Sequence, residues 1–237
     1  MTITSHHNLK LKELRKLRQR RRWRERSGRF VAEGEDLLAA ADAAGWQAIE
    51  RYCAAGSGLP GVEVEGDLLT AASGLASGTR TLAVYAERWA ERPLGPLCVY
   101  LHGIHDPGNV GTILRSAQAF GASSVVLGPE TADPYGLKAV RASMGSVFAV
   151  PLVKGADIAM LPGVKIALVP GEGVRLAEAG PSADVTLLVG GERAGLPRDL
   201  IDAADITAQI PIQTDSLNSA IAAAIALYEL QTRMAPR

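Results

Sequence analysis

Six short runs of Val, Leu and Ile constrain the fold of this chain from residue 97 onward more than any other feature of the sequence. A segment with helical spacing separates most of these runs from the next. Strands that are buried on both faces, as in a parallel sheet, read as continuous apolar runs because neither face meets water. We therefore predict an α/β domain built on a parallel sheet. The predicted strands are Leu97–His102, Ser124–Leu127, Val147–Leu152, Val164–Val169, Val185–Val189 and Ile206–Ile210.

The last predicted helix, Ser216–Gln231, is rich in alanine. Ile221, Ile225 and Leu227 with Tyr228 repeat along it at helical spacing, which predicts one apolar face. The alanines between them would let neighbouring elements approach closely. This helix follows the sixth strand directly, so a strand delivers the chain to a short polar turn and a helix leaves from that turn.

The polar turn before the last helix has two interpretations. Asp215 or Ser216 is a good candidate for the N-cap, which would make the segment an ordinary capped helix of the core. Alternatively, the exposed backbone N–H groups together with Ser216 and Asn218 form the floor of a binding site. The turn alone does not decide between them.

The first 92 residues form a smaller α/β unit by the same alternation of strand and helix patterns. Two prolines and a glycine between residues 90 and 96 indicate a domain boundary. We predict one domain over residues 1–92 and a second over residues 97–237. A chain of 237 residues, 47% of them hydrophobic, has enough apolar material for one large core and a smaller second one.

The net charge of zero hides a strong asymmetry. Residues 1–30 contain 11 of the 25 Lys and Arg but only two acids, Glu13 and Glu25, which is a local balance of +9. Such an arm suits a polyanion such as RNA, and Trp23 within it could stack on a base. The alternative is a solvated helical face. The arginines around Trp23 that favour nucleic acid are Arg18, Arg20, Arg21, Arg22, Arg24 and Arg26.

Several classes of protein are disfavoured by what the sequence lacks. No apolar run is long enough to cross a bilayer, and the N-terminus is polar and basic, which predicts neither a membrane span nor a secretory signal. Cys53 and Cys98 lie far apart in apolar runs, so we predict buried thiols in a reducing compartment, the cytoplasm, and no zinc site. The glycine patterns of dinucleotide-binding and P-loop proteins are absent, and so are the nucleophile elbow and zinc-protease motifs.

Three strand ends carry glycine-rich, polar loops. They are the loop of residues 102–112 after the first strand, the loop of residues 190–197 after the fifth, and the turn before the last helix. Ligands of parallel sheets collect at the carboxyl ends of the strands, and glycine permits tight turns or a close backbone approach. We therefore expect these three loops to form one site.

The residues of these loops resemble the three motifs of the SpoU (TrmH-type) RNA 2′-O-ribose methyltransferases of the SPOUT superfamily, in the same order and at similar spacing. Between them, residues 133–146 resemble the family's link from its first to its second motif, and residues 29–34 more weakly resemble the start of its substrate-binding domain. The segments that carry the motif resemblance are Asn109-Val110-Gly111-Thr112-Ile113-Leu114-Arg115, Gly191-Glu192-Arg193-Ala194-Gly195-Leu196-Pro197 and Ile210-Pro211-Ile212 with Ser216-Leu217-Asn218.

The resemblance implies a fold, a cofactor and an activity. The parallel sheet would carry a deep trefoil knot, in which the last strand and helix thread through a loop to hold S-adenosylmethionine, and a smaller ribosomal-protein-like domain would precede it. The chain would form a homodimer through the catalytic domain and methylate a ribose 2′-hydroxyl in structured RNA, with rRNA favoured over tRNA. The alternatives are a catalytically silent RNA-binding protein of the same fold and a SPOUT enzyme that methylates a base.

The resemblance also assigns residues to roles, with no metal among them. The catalytic set is Arg115, Asn109, Glu192, Ser216 and Asn218. The cofactor-binding set is Val189, Gly190, Gly191, Ile210, Ile212, Ser216, Leu217 and Asn218. The RNA-binding set, drawn from the charge pattern, is Arg18, Arg20, Arg21, Arg22, Arg24, Arg29 and Arg141.

Each assignment has a structural alternative. Asn109 could cap the helix that follows it, Arg115 could be a surface residue, and Glu33 could pair with the basic arm. The arginine raises a chemical point as well, because a guanidinium stays protonated and is a poor general base. We expect Arg115 to stabilise the forming alkoxide or to grip a phosphate, while water or a phosphate oxygen takes the proton.

One departure from the family pattern follows Asn218. The family usually continues with Val-Ser, whereas this chain has Ser219-Ala220. We expect this exchange of small residues to leave the threading of the chain intact.

Overall fold

The computed structural model describes residues 2–73, 78–179 and 183–234. Its helices and strands group into two compact units. The first comprises the described part of residues 1–88 together with Asp133–Ala149, and the second comprises Trp89–Ala132 and the described part of residues 150–237.

The elements are numbered in chain order. Up to residue 88 they are α1 (Leu9–Gln19), α2 (Arg21–Ser27), β1 (Arg29–Glu33), α3 (Glu35–Ala43), β2 (Glu50–Ala54), β3 (Val62–Val64), α4 (Gly66–Ala72) and β4 (Thr81–Ala86). From residue 97 they are β5 (Leu97–His102), α5 (Pro107–Ala119), β6 (Ser124–Leu127), α6 (Leu137–Ala142), α7 (Ser146–Ala149), β7 (Leu152–Lys154), β8 (Val164–Leu168), β9 (Val174–Arg175), β10 (Val185–Gly190), α8 (Arg198–Asp202), β11 (Ile206–Gln209) and α9 (Ser219–Met234). Short 3-10 turns occur at Ile158–Met160 and Leu176–Glu178.

The first unit is built on a mixed sheet with the strand order β1-β4-β2-β3 in the described residues. Strand β4 is antiparallel to both β1 and β2, whereas β3 is parallel to β2. Helix α1 contributes Leu11, Leu14 and Leu17 to a buried cluster with side chains from α4 and the strands. The smaller α/β unit predicted from the sequence is therefore present, with β3 as a strand that the sequence did not indicate.

The basic arm is two helices and not one, because Arg20 adopts an extended conformation between α1 and α2. The side chain of Arg24 stabilises this break. Its Nη1 donates to the carbonyl oxygens of Leu17 at 2.6 Å and Arg18 at 3.3 Å, which lie in the last turn of α1. The final carbonyls of a helix have no partner within it, so a guanidinium that binds them replaces the hydrogen bonds that a continuous helix would have supplied.

Two ion pairs, each with at least one buried partner, attach residues 133–149 to the rest of the first unit. The Nη2 of Arg24 lies 2.7 Å from the Oδ2 of Asp133, and the Nη2 of Arg141 lies 2.6 Å from the Oε2 of Glu33. The carboxylate of Glu33 is fully buried, so the expected pairing of Glu33 with the basic arm is wrong. Its partner comes from α6.

An aromatic cluster also includes this segment, through Tyr135 and Phe148. These rings pack with Phe30, Trp46 and Tyr85, and ring centroids lie 4.5–6.4 Å apart. The Nε1 of Trp46 donates to the carbonyl oxygen of Phe148 at 2.8 Å. Burial raises the pKa of the Tyr135 phenol above its ordinary value, so the hydroxyl stays protonated and donates to the carbonyl oxygen of Arg88. Residues 133–149 thus fold with the first unit, although they fall within the range 97–237 predicted for the second domain.

The predicted strand Val147–Leu152 is wrong. Residues Ser146–Ala149 form the short helix α7, and strand β7 begins only at Leu152. The aromatic cluster of the first unit takes up Phe148, so the apolar run at this point belongs to two different elements. Periodicity cannot tell a short buried helix from a short buried strand.

The second unit confirms the predicted α/β architecture with a parallel sheet. Its seven strands, in the described residues, have the order β7-β6-β5-β10-β8-β11-β9, and every adjacent pair is parallel. The central strands β5 and β10 are buried along almost their whole length. The carboxyl ends of β8, β10 and β11 therefore lie side by side at one edge.

Helix α9 packs through its small residues and exposes larger ones. Its buried residues are Ser219, Ala220, Ala223, Ala226, Leu227 and Leu230. Ile221, Ile225 and Tyr228 are instead 54%, 41% and 55% exposed, so the prediction that they form one face with Leu227 is wrong. The three exposed side chains are spaced i, i+4, i+7 and form one stripe, which we call the α9 stripe.

The helices of the described residues contain no segment that is both long and apolar enough to span a membrane. Within the same residues, no group of three or more His, Cys, Asp and Glu side chains has a geometry suited to a metal ion.

Candidate active site

A cavity of about 480 Å³ opens where β8, β10 and β11 end. Seven of the eight residues predicted to bind the cofactor line it together: Val189, Gly190, Gly191, Ile210, Ile212, Ser216 and Leu217. The eighth, Asn218, belongs to a hydrogen-bond network described below. Three loops far apart in sequence, at residues 102–112, 190–197 and 210–218, were expected to meet. The last two share this cavity.

The sequence did not indicate one side of the cavity. Leu168, Val169 and Pro170 at the end of β8 line it, as does Glu172 in the loop that follows. A signal was present, since this strand also runs into a turn rich in Gly and Pro, as ligand-binding strand ends do. Ala222 on α9 also lines the cavity and was expected to serve only the packing of the helix.

Two glycines allow the loops at this edge to touch through their backbones. A Cβ at Gly191 would lie 2.2 Å from the carbonyl oxygen of Gly103, which belongs to the loop after β5. A Cβ at Gly190 would lie 2.2 Å from the carbonyl carbon of Gly195. Such distances are far below van der Waals contact, so any larger residue would push the loops apart.

A network of hydrogen bonds joins the three loops beside the cavity. The Nδ2 of Asn109 donates to the Oε1 of Glu192, and the Nδ2 of Asn218 donates to the Oδ1 of Asn109 at 3.2 Å. The Oγ of Ser219 donates to the same Oε1 of Glu192 at 2.7 Å. Each loop therefore contributes at least one side chain: Asn109 follows β5, Glu192 follows β10, and Asn218 and Ser219 follow β11.

The caps of the two helices fix this network. Asp106 caps α5 and accepts from the backbone N–H of Asn109 at 3.3 Å, so the interpretation of Asn109 as the cap is wrong and its side chain is available to the network. Asn218 caps α9, since its Oδ1 accepts from the N–H of Ala220 at 2.9 Å. The prediction that Asp215 or Ser216 caps this helix is wrong. A cap that uses Oδ1 leaves the Nδ2 of Asn218 to donate to Asn109.

Ser216 was expected to contribute the only serine hydroxyl of the site, but Ser219 contributes one as well. Ser216 lines the cavity, where it is exposed, and its carbonyl oxygen accepts from the hydroxyl of Thr214 at 3.4 Å. The hydroxyl that reaches Glu192 is that of Ser219, which was expected only to be small.

Arg115 stands apart from the other predicted catalytic residues. It is exposed on α5, and its side chain forms no hydrogen bond or ion pair with any part of the chain that the structure describes. Six residues separate it from Asn109, which places it about 120° around the helix and about 9 Å along it. The structure thus brings Asn109, Glu192 and Asn218 together and leaves Arg115 facing solvent.

The predicted RNA-binding arginines fall into two groups. Arg24 is 7% exposed and pairs with Asp133, and Arg141 pairs with Glu33, so both have structural partners. Arg18 donates to the carbonyl oxygen of Ala72 at 2.9 Å. We therefore remove Arg24 from the expected RNA surface. Arg29 is exposed and lies 3.6 Å from Glu13.

The other group surrounds Trp23. Arg20, Arg21, Arg22 and Arg26 are exposed and line a shallow cavity of about 450 Å³ with the indole of Trp23. The Nζ of Lys16 lies 4.4 Å from the centroid of the indole ring. This group, which we call the Trp23 patch, combines a flat aromatic surface with several guanidinium groups.

Two family models match the chain. The SpoU rRNA Methylase family matches residues 96–228, and the MRM3-like substrate binding domain matches residues 8–85. The first match covers more than half of the 237 residues and contains all three loops of the site.

Known proteins resemble the chain in sequence and in structure. The chain is 34% identical over 139 residues to the 23S rRNA (guanosine(2553)-2'-O)-methyltransferase RlmP of Bacillus subtilis, and the match covers 55% of this chain and 56% of that protein. The matched segment spans about half the length of the first curated relatives. The AdoMet-bound rRNA methyltransferase from Sinorhizobium meliloti superposes with a TM-score of 0.87 at 31% identity, over 100% of this chain and 99% of that one.

The SpoU methyltransferase AviRb from Streptomyces viridochromogenes, solved in complex with AdoMet, superposes with a TM-score of 0.86 at 26% identity, over 98% of this chain and 100% of that one. The family resemblance that the three loops indicated is therefore confirmed. On the family match and the full-length structural match together, this chain belongs to the SpoU rRNA methylase family.

Proposed function

We propose that this chain transfers a methyl group from S-adenosylmethionine to the 2′-hydroxyl of a ribose in structured RNA, and that the RNA is ribosomal. The convergence of three strand-end loops on one cavity, next to the Asn109–Glu192–Asn218 network, supports this most directly. Relatives named as 23S rRNA 2'-O-methyltransferases support the choice of rRNA over tRNA.

The lining of the cavity suits this cofactor. Side chains of Val189, Leu196, Ile210, Ile212 and Leu217 give an apolar surface for a purine, and the glycine-rich loop exposes backbone groups that can bind its polar edge. Glu192 itself lines the cavity and adds a carboxylate, which suits a molecule that carries positive charge. The volume of about 480 Å³ lies within the usual range for small-molecule sites.

The proposed roles follow from what each group can do. S-adenosylmethionine supplies the electrophilic methyl group when bound. The network holds Glu192 and Asn109 in one arrangement, so the chain mainly positions and polarises the substrate. The cationic side chain of Arg115 is exposed, and we propose that it meets the RNA and stabilises the forming alkoxide or an adjacent phosphate. A water molecule or a phosphate oxygen would accept the proton.

We infer a homodimer through the second unit, with the α9 stripe at its interface. The α9 stripe is an apolar row that remains largely exposed, formed by Ile221, Ile225 and Tyr228. Phe120 extends this row, because its ring makes an edge contact with the Tyr228 ring at a centroid distance of 5.9 Å. Apolar patches of this kind mark interaction surfaces.

We also expect the tail to pass through a loop, as in the deep trefoil knot that the family resemblance implies, and the alanines of α9 would permit such close threading.

The Trp23 patch is the proposed contact to RNA in the first unit. Exposed Arg20, Arg21, Arg22 and Arg26 can bind phosphates, and the Trp23 face can stack on a base. We propose residues 1–92 as the substrate-binding domain and residues 97–237 as the methyltransferase domain, in line with the ranges of the two family matches, except that Asp133–Ala149 packs with the first unit. The cytoplasm is the proposed location, which fits two buried free cysteines and an rRNA substrate.

Methyl transfer from labelled S-adenosylmethionine tests the proposal. Purified rRNA and tRNA are offered as substrates, and the labelled RNA is digested with alkali. A 2′-O-methyl group removes the nucleophile of that cleavage, so we expect the label in an alkali-resistant dinucleotide from rRNA. Label in an alkali-sensitive nucleotide would indicate base methylation. Binding of RNA without any binding of the labelled cofactor would identify a silent RNA-binding protein.

A further inference from the structure

Ser219 contacts Glu192 in a way that no predicted role explains. It is the first residue of α9, only 4% exposed, and its hydroxyl lies 2.7 Å from the Oε1 of Glu192. An ionised carboxylate has no hydrogen to donate and acts only as an acceptor, so the serine hydroxyl is the donor of this hydrogen bond. Glu192 lies in an exposed loop between β10 and α8.

The backbone of Ser219 is held by the start of a packed helix. Asn218 caps the helix at this residue, and α9 packs along its length on α5 and β10. The loop around Glu192 is bounded by Gly191 and Gly195, which pair with one another through their backbones. A buried donor on a rigid helix therefore holds a carboxylate on an exposed loop.

We propose that Ser219 is a positioning residue for Glu192 in the methyl-transfer reaction, an inference that rests on the proposed function. The hydroxyl and the amide of Asn109 bind the same oxygen of Glu192 from two different loops. Together they restrict the carboxylate to one rotamer beside the cavity. With Asn109 as the single donor, the carboxylate could rotate about it.

The hydroxyl lies one position earlier than in the usual family pattern. The family pattern usually has Val-Ser where this chain has Ser219-Ala220. Adjacent residues of a helix point about 100° apart, so a hydroxyl at position 220 could not take the place of the one at 219. Ala220 is buried and faces the packed side of α9.

The test uses variants of the full chain. Ser219→Ala removes the donor and Ser219→Thr restores it. Ser116→Ala is the matched control, because the Ser116 hydroxyl donates to the carbonyl oxygen of Thr112 in its own helix and to nothing else among the described residues. We expect Ser219→Ala to lower kcat about tenfold with a smaller change in KM for the cofactor, and Ser219→Thr to recover most of it. Ser116→Ala should match the wild type.

A double-mutant cycle separates positioning from stability. If Ser219 acts through Glu192, Ser219→Ala should have no further effect on kcat in a chain that already carries Glu192→Ala. The positioning role would be overturned if Ser219→Ala lowered kcat equally in the wild type and in Glu192→Ala, or if it left kcat unchanged in the wild type. Methyl transfer by the wild type would still uphold the proposed function in either case.

A crystal structure of Ser219→Ala gives a readout that does not depend on activity. We expect the Glu192 carboxylate to leave the position seen here or to lose order, while Asn109 and Asn218 stay in contact. An unmoved, ordered carboxylate would overturn the positioning role whether or not the wild type transfers a methyl group. A displaced carboxylate in a chain without methyl transfer would show that Ser219 holds Glu192 and that the proposed function is wrong.

Discussion

The two units of this chain are both α/β, but they use their polar residues in opposite ways. In the first unit, charged side chains form ion pairs largely removed from solvent: Arg24 pairs with Asp133, and the fully buried Glu33 pairs with the half-buried Arg141. In the second, Glu192 and Asn218 are exposed at the ends of strands, and hydrogen bonds join them to Asn109 and Ser219. Their cores differ as well, since the first contains an aromatic cluster and the second relies on aliphatic strands and alanine.

The difference shows where each unit can tolerate change. A buried ion pair is costly to break, because the remaining charge stays in a medium that solvates it poorly. An exposed polar network contributes little to stability but fixes the geometry that a reaction needs. We therefore expect substitutions in the first set to change mainly stability and substitutions in the second to change mainly activity.

The largest effect is expected from Arg24→Met. It removes the partner of Asp133 and the side chain that binds the last carbonyls of α1, and the loss should be about 3–5 kcal/mol in the free energy of unfolding. Urea denaturation followed by circular dichroism measures it. Arg22→Met, at an exposed position two residues away, is the control and should stay close to the wild type. Equal midpoints for the two variants would show that the buried pair does not stabilise the unit.

A loss of activity at nearly constant stability is expected from Asn109→Ala. The change removes the donor to Glu192 and the acceptor for Asn218, and we expect methyl transfer to fall about 100-fold, roughly 2.7 kcal/mol in the barrier. Initial rates and the urea midpoint are measured together. Gln118→Ala replaces an exposed amide on the same helix and should leave both unchanged. A large loss of stability in Asn109→Ala would contradict the expectation that polar residues of the second unit affect mainly activity.

A smaller effect is expected at the α9 stripe. Ile225→Asp introduces a charge into an apolar row that we propose is covered by a second copy, and it should weaken dimerisation at least tenfold, or about 1.4 kcal/mol. Analytical ultracentrifugation over a range of concentrations measures the dissociation constant. Leu9→Asp alters a leucine that is 79% exposed in the first unit and serves as the control. A wild-type chain that remains monomeric at all concentrations would refute the interface.

The sequence predicted the second unit better than the first, for a physical reason. Strands such as Leu97–His102 are buried on both faces, so their composition alone reports their environment, and glycine marks the loops where they end. Residues 133–149 could not be placed in this way. Their assignment depends on ion pairs and ring contacts between residues about 100 positions apart in sequence, such as Arg24 with Asp133 and Trp46 with Phe148.

The candidate site shows the same limit at shorter range. The motifs identified the loops, and they also identified Asn109, Glu192 and Asn218, but not which hydroxyl would meet Glu192. That choice depended on where α9 begins, and the expected start at Ser216 was three residues too early. The exposure of Ile221 and Ile225 could not be predicted either, because periodicity identifies an apolar stripe without saying what covers it.

Calorimetric titration with S-adenosylmethionine tests most directly whether the cavity at the ends of β8, β10 and β11 is the cofactor site. The wild-type chain should bind one molecule per protomer, and Ala222→Phe, which places a ring in the cavity from α9, should weaken binding at least tenfold. Ala43→Phe places the same ring at an exposed position on α3 of the first unit, outside the cavity lining, and should bind as the wild type does. Equal affinity of the wild type and Ala222→Phe would contradict the account.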